Sequence, residues 1–396
     1  MPPVLSPGES SPREAAEAPI FAVLGGTLID GTGAAPIPDS AIIFEGDRIR
    51  AAGRRRQIRI PPGAIAVDAT DLTVIPGLID MHVHLFAGTD LSLFLERGVT
   101  SVRNLGDVPL EEIVALRRDI DEGRVRGPRL FHCGLFVVSE PPLKEEIYPP
   151  DDLKRFMIMR SPADARGVVR RLVDAGADVV KVKTEMSVES LRALGAAAAE
   201  AGLPMTFDNG GETGSYDALA AFDAGARGVE HLSGIPFDEP ATVEAVLKKM
   251  LAVGAYADPT LVVLDRTYAR SRVEAREEFL RRFVAAGGSV IAGTDFPTRG
   301  LTAGISLHQE LERLVGAGLS NKQALEAATG RAGRALGYPG LVGTIEAGAF
   351  ADFLIIAGDP LKEIRNADRI LRVFKGGIEF APECNEAVTE PAPPSP

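Results

Sequence analysis

The chain has 396 residues with 43 basic and 55 acidic side chains, and its net charge of −12 argues against nucleic acid or an anionic membrane surface as a partner. Hydrophobic residues make up 45% and charged residues 25%, the balance of a soluble globular protein with room for one large and one small domain; no apolar run is long enough to span a bilayer. Its two cysteines, Cys133 and Cys384, lie far apart and form no Cys-x-x-Cys pair, so reduced thiols in a cytoplasmic protein are expected.

Residues 1–19 are rich in Pro, Ser, Ala and Glu and lack the basic and apolar regions of a secretory signal; they read as a disordered tail. From 20 to 76 the pattern is short strands and tight turns, with strands at 21–24, 27–29, 41–45, 48–52, 65–67 and 72–75. Such a module is too small to stand alone. Strand-like character returns at 343–345, 351–356 and 372–375, so residues 20–76 plus 341–384 are expected to form one small β-sandwich domain built from both termini. A second loose tail covers 385–396.

Between the ends, residues 77–340 alternate strand and helix. Strands are expected at 77–84, 100–104, 129–133, 179–183, 205–208, 228–231, 255–261 and 289–294. Helices are expected at 91–96, 110–122, 162–175, 188–201, 215–224, 241–251, 267–286 and 305–316. A further helix starts at Ser320, with Gln323 completing a capping box. Eight strands with eight helices predict an α/β fold closed as a (β/α)8 TIM barrel, and a doubly wound open sheet is the alternative. The segment 134–160 is too long for an ordinary connection and is expected at the barrel mouth.

Chemistry in such a barrel gathers where strands end. In Pro76-Gly77-Leu78-Ile79-Asp80-Met81-His82-Val83-His84, an apolar run ends in two of the chain's five histidines. Alternation along a strand turns both imidazoles to one face, about 7 Å apart along the backbone. Other strand ends carry Lys181, Asp208, His231 and Asp295. Imidazole and carboxylate together suit Zn²⁺ or a similar divalent ion. A cationic lysine would be repelled from such an ion, whereas its carbamate, formed with CO2, is an anion suited to bridging two metals. Lys183 shares the face of Lys181, so register does not separate them.

These residues resemble the amidohydrolase superfamily, in its imidazolonepropionase/prolidase-like branch, from about residue 20 to 380. The resemblance rests on the histidine-pair entry, Gly98-Val99-Thr100-Ser101-Val102-Arg103, Gly176-Ala177-Asp178-Val179-Val180-Lys181, Val229-Glu230-His231 and Gly293-Thr294-Asp295. Gly343-Thr344-Ile345-Glu346-Ala347-Gly348 through Ala351-Asp352-Phe353 matches as well. It implies a binuclear metal centre, with His82, His84 and Asp295 on one ion, His231 on the other, and a carboxylated Lys181 between them. The family's spacing after Gly-Ala-Asp favours Lys181 over Lys183. Where the family has a strand-five histidine, this chain has Asp208. A carboxylate there would bind the second metal; the other outcomes are a one-ion centre or loss of catalysis. His132 reads as structural and His308 as packing or surface.

The expected function is a metal-dependent hydrolase, dipeptidase-like, that cleaves a C–N amide-type bond in an N-acyl amino acid, a dipeptide or a related amide. A metal-activated hydroxide attacks, Asp295 serves as general base and then general acid, and His231 helps polarise the carbonyl. Arg103, Lys183 and Arg299 are candidates to grip a substrate carboxylate, each with an ordinary ion pair as the alternative. The rival readings are a one-metal deaminase on the same scaffold and a catalytically silent metal-binding or scaffold protein. The expected partner is a small-molecule amide, with assembly into a homo-oligomer possible.

Overall fold

The computed structural model describes residues 18–139, 154–183, 186–208 and 217–380. Both expected tails in large part, Cys384, the middle of the 134–160 segment and the loop after Asp208 lie outside the described residues.

Barrel strand one (Leu78–Val83) pairs in parallel with strand two (Val99–Asn104), and strand two with strand three (Arg129–His132). A second parallel sheet carries strand four (Val180–Lys183), five (Met205–Asp208), six (Gly228–Glu230), seven (Tyr256–Asp258) and eight (Ser289–Val290) in sequence order. Backbone bonds cross both gaps between the sheets. The Asp178 N–H donates to the His132 carbonyl at 2.8 Å, and the Met81 N–H to the Ala292 carbonyl at 2.9 Å. Val83 also faces Phe296 in a parallel bridge. The strands therefore follow one another around an α/β core of TIM-barrel type, and every residue of strands one and two is buried, as strands covered on both faces should be.

The connecting helices turn one apolar stripe inward, as Ala165–Asp174 does with Val168, Val169 and Leu172. Three expectations change. The strand expected at 255–261 stops at Asp258, because Thr260 adopts a left-handed backbone (φ 47°) and Leu261 begins a helix. The helix expected at 267–286 forms as Arg270–Ala285, and a separate helix not expected from the sequence, Leu261–Thr267, precedes it. The 134–160 segment contributes two short strands, Phe136–Val138 and Phe156–Ile158, which pair with each other, and Val137 pairs with Val182 of strand four.

The chain's two ends meet in a five-stranded sheet, in which Phe353–Ile356 runs antiparallel to Thr73–Pro76 with Phe353 opposite Pro76 and Ile356 opposite Thr73. Ile370–Lys375 and Ile378–Phe380 extend it, the last being a strand not expected from the sequence. A four-stranded sheet of Arg48–Arg54, Ser40–Glu45, Ile20–Leu24 and Ile65–Asp68 shares its apolar core, where Phe44 meets Phe353 and Phe374 at centroid distances of 5.4 and 5.7 Å. The strand expected at 343–345 is absent; Gly343 turns with φ 74°, close to the Thr329 carbonyl. Among the described residues no helix is long and apolar enough to cross a membrane.

Candidate metal centre

His82, His84, Lys181, Asp208, His231 and Asp295 converge at the C-terminal ends of the barrel strands. Nε2 of His84 lies 3.1 Å from Oδ1 of Asp295, and Nε2 of His82 lies 3.6 Å from the same oxygen. The His82 and His231 rings are 4.7 Å apart between centroids. Asp208 Oδ2 is 3.8 Å from His231 Nε2, 3.4 Å from Lys181 Nζ and 4.0 Å from Lys183 Nζ. Lys181, fully buried, also sits 3.3 Å from His82 Nε2. Both lysine ammonium positions lie over the ring of Phe136, at 4.8 and 4.6 Å.

Strands one and eight are pinned together by Asp80, which accepts from the Thr294 N–H at 3.0 Å, the Thr294 hydroxyl at 2.8 Å and the His82 N–H at 3.2 Å. That fixes Asp295 opposite the histidine pair. Several residues here hold left-handed backbone that side chains seldom adopt: Asp107 (φ 64°), His231 (φ 58°), Thr260 (φ 47°) and Asp295 (φ 66°). Strain of this kind costs of order 1–3 kcal/mol per residue and persists where surrounding structure imposes it.

The second nitrogen of each histidine settles its tautomer. Nδ1 of His82 faces Glu230 Oε2 at 3.0 Å, and Nδ1 of His84 faces the Gly106 carbonyl at 3.2 Å. Nδ1 of His231 is 2.6 Å from the Thr260 hydroxyl, which spends its own proton on the Pro259 carbonyl and so accepts from the ring. Each Nδ1 therefore carries the proton, and each Nε2 turns a lone pair toward the carboxylates. Lone pairs facing carboxylate oxygens repel unless a cation lies between them, so the donor set fits a divalent ion, and the bonded Nδ1 atoms are the outer support that such ligands need. His82, Asp295 and His231 bring one donor atom each within 4.8 Å of one another.

Burial pushes the His82 ring well below its usual pKa, and nearby Lys181 and His231 add to this, so the ring is neutral at pH 7 and free to act as a ligand. For Asp208, burial would raise the pKa, but Lys181, His231, Lys183 and His82 together hold it well below the carboxylate range. Asp295 follows the same balance: burial would raise its pKa, but the neighbouring His84, His231 and His82 rings lower it. Both carboxylates are ionised at neutral pH.

Arg103 requires a correction. Expected to grip substrate, it is only 1% exposed and lies beneath the histidines, donating from Nε to the Met81 carbonyl (2.6 Å), from Nη1 to the Tyr256 hydroxyl (2.9 Å) and from Nη2 to Glu230 Oε1 (2.9 Å). Its donors are spent on the barrel interior. Arg299 is exposed on the turn Thr298–Gly300, and it is its carbonyl that is engaged, by Arg266 at 3.1 Å. Lys183 stands beside Asp208, its partner in strand register. His132 is buried and structural: its Nδ1 accepts from the Gly134 N–H. His308 is buried as well, bonded to the Arg97 carbonyl.

The sequence reading missed Glu230, the hub beneath the centre, which takes the His82 ring, Arg103 and the Thr206 hydroxyl (2.6 Å). Consecutive strand residues face opposite sides, which would turn Glu230 away from the site of His231. The left-handed backbone at His231 breaks that alternation, so both point inward. The only available signal was a carboxylate set directly before a candidate ligand.

The chain is similar in sequence and in fold to known proteins. The family described as the Amidohydrolase family matches residues 73–378. An imidazolonepropionase of Solibacter usitatus is 26% identical over 384 residues, covering 83% of this chain and 87% of the relative. The crystal structure of a putative prolidase from Bifidobacterium longum superposes with a TM-score of 0.74 at 25% identity, over 92% of this chain and 95% of the other. That of phenylurea hydrolase B does so with a TM-score of 0.77 at 22% identity, over 92% and 97%.

Proposed function

Because the chain belongs to the amidohydrolase family and is a hydrolase acting on carbon–nitrogen bonds, we propose that its substrate is a small amide: an N-acyl amino acid, a dipeptide or a related amide. The observation that carries this is the convergence of three Nε2 lone pairs and two ionised carboxylates at one barrel mouth. The likeness to a putative prolidase and to an imidazolonepropionase supports the amide class.

His82, His84 and Asp295 would hold one divalent ion, with zinc suited to two imidazoles and a carboxylate. Asp208 and His231 would hold a second, together with Lys181 once its amine has combined with CO2 and released a proton. When bound, such ions supply the Lewis acidity that brings the pKa of water from about 16 to near 7 and polarises a carbonyl. Asp295, ionised and at the rim of the histidine pair, accepts the proton of the attacking water and returns it to the leaving nitrogen, base and acid in turn. His231, whose Nδ1 is held by Thr260, would keep its Nε2 lone pair turned to that second ion, through which it would help polarise the carbonyl. Lys183 and Arg299 are our candidates for a substrate carboxylate.

A one-ion centre is the second reading, favoured by the placement of Asp208 Oδ2 3.4 Å from Lys181 Nζ, where an ammonium and a carboxylate would neutralise each other. Metal analysis after expression with added zinc separates the two: two ions per chain fit the binuclear reading, one fits the alternative. A screen of N-acyl amino acids, dipeptides and aryl amides, with His82→Ala as the blank, tests the activity. Turnover lost by about 10²-fold or more in the variant is expected, and equal rates in both proteins would dispose of the assignment.

A further inference from the structure

The barrel has a second mouth, at the N-terminal ends of its strands, and a cavity of about 560 Å³ opens there. Met205, Tyr256 and Ser289, the first residues of strands five, seven and eight, form part of its wall, so it lies at the end opposite His82. The volume is that of a small-molecule site. Its described lining contains Arg227, Arg331 and Arg334 and not one carboxylate residue, in a chain whose net charge is −12. Arg331 is partly satisfied by Glu326, through contacts of 3.1 and 3.0 Å. Arg227 and Arg334 have no ion-pair partner among the described residues.

Three arginines line one hollow, and the planar fork of N–H donors that each carries is the geometry that takes an oxyanion bidentately. The competing account is that these arginines offset the helix C-termini that end at this mouth, those of Val188–Glu200, Ala218–Asp223 and Pro240–Val253. Each such end carries only about half a charge. Arg334 lies in the last turn of its own helix, Gly330–Ala335, but Arg227 lies on no helix, and neither side chain has a hydrogen bond to a helix-terminal carbonyl among the described residues.

We propose that this mouth is a binding site for a small dianion, a phosphate group or a dicarboxylate, held by Arg227 and Arg334 with Arg331 at the side. It is separate from the metal centre and does not depend on which amide the enzyme cleaves.

Isothermal titration of the full-length, metal-containing protein with inorganic phosphate, and separately with succinate, tests it. Saturable binding of at least one of the two is expected, and the one that binds identifies the anion's chemical source. The double variant Arg227→Gln/Arg334→Gln should weaken that binding by about tenfold for each arginine removed, and His82→Ala should leave it in place. Both arginines are exposed, so the fold should survive, and circular dichroism checks this; Arg334→Gln alone is the milder second variant. The proposal falls if neither anion saturates at millimolar concentration, if the arginine variants bind as well as the parent, or if His82→Ala abolishes the heat and so moves the site to the metal centre.

Discussion

At the scale of single residues, Glu230 does more than any metal ligand to define the centre. It fixes the His82 tautomer from below and is itself held by Arg103 and Thr206. Glu230→Gln keeps the shape but replaces a charged acceptor with an amide, whose orientation Arg103 and Thr206 then dictate. Removing such outer support typically costs 10–100-fold in metal affinity, so competition with a chelator should show metal lost about that much more readily. An unchanged affinity would mean that Glu230 serves the fold alone. His132 gives a prediction of a different kind. Burial, with a smaller push from Arg117, lowers its pKa from 6.5 to about 3. Between those values the unfolded chain binds a proton that the folded chain does not, so stability from this group is complete above pH 6.5 and falls away toward pH 3. His132→Asn keeps an acceptor for the Gly134 N–H without the titration. In chelator-treated protein, the drop in melting temperature from near pH 7 to about pH 4.5 should be smaller in the variant than in the parent.

Elements show which parts of the site were legible beforehand. Strand ends were readable because an apolar run stopping at a polar residue is a local signal, and in this way Lys181, Asp208 and the histidine pair declare themselves. Depth was not readable. Arg103 lies near the end of strand two as plainly as His84 follows strand one, yet it lies under the centre because Tyr256 and Glu230, from strands remote in sequence, have room to receive it. Nor was the break at Thr260 visible, since Leu261 to Leu264 is as apolar as a strand and is buried as a helix. Helix packing depends equally on contacts that sequence does not display. A Cβ on Gly195 would stand 1.8 Å from the Ala224 carbonyl oxygen, which is backbone with little room to yield. Alanine gains about 1 kcal/mol of helix propensity over glycine, while overpacking of this sort costs about 1–3 kcal/mol or more. Gly195→Ala should therefore lower the melting temperature; a rise would show that the two helices part without cost.

For the molecule as a whole, the question is why a barrel enzyme begins and ends in sheets that hold no ligand. Strand Thr73–Pro76 leads through Gly77 directly into the strand that carries His82, and its position is set by Phe353–Ile356 on its other side. The Gly77 N–H donates to the Asp352 carbonyl at 3.0 Å, and Asp352 also receives Arg129 from strand three and the Gly376 N–H. Leu354 and Ile370 close over Gly98, where a side chain would strike Leu354 at 2.6 Å. The last strands thus brace the entry to strands one, two and three. Deleting everything after residue 340 would remove Leu354, Ile356 and Val373, all buried against the barrel, and Phe353, Ile355 and Phe374 on the other face, and would leave Phe44, Val74 and Ile75 without the strands that cover them. At about 1.5–3 kcal/mol for each large apolar side chain, the loss rivals the whole net stability of about 5–15 kcal/mol expected of a folded domain. The truncated chain should be insoluble or retain no metal, and co-expression of residues 341–396 as a separate chain should restore some of both. Soluble yield and metal content measure this directly. A truncated chain that stays soluble with its full metal content would show that the barrel assembles its ligands unaided, and that the terminal strands serve another purpose.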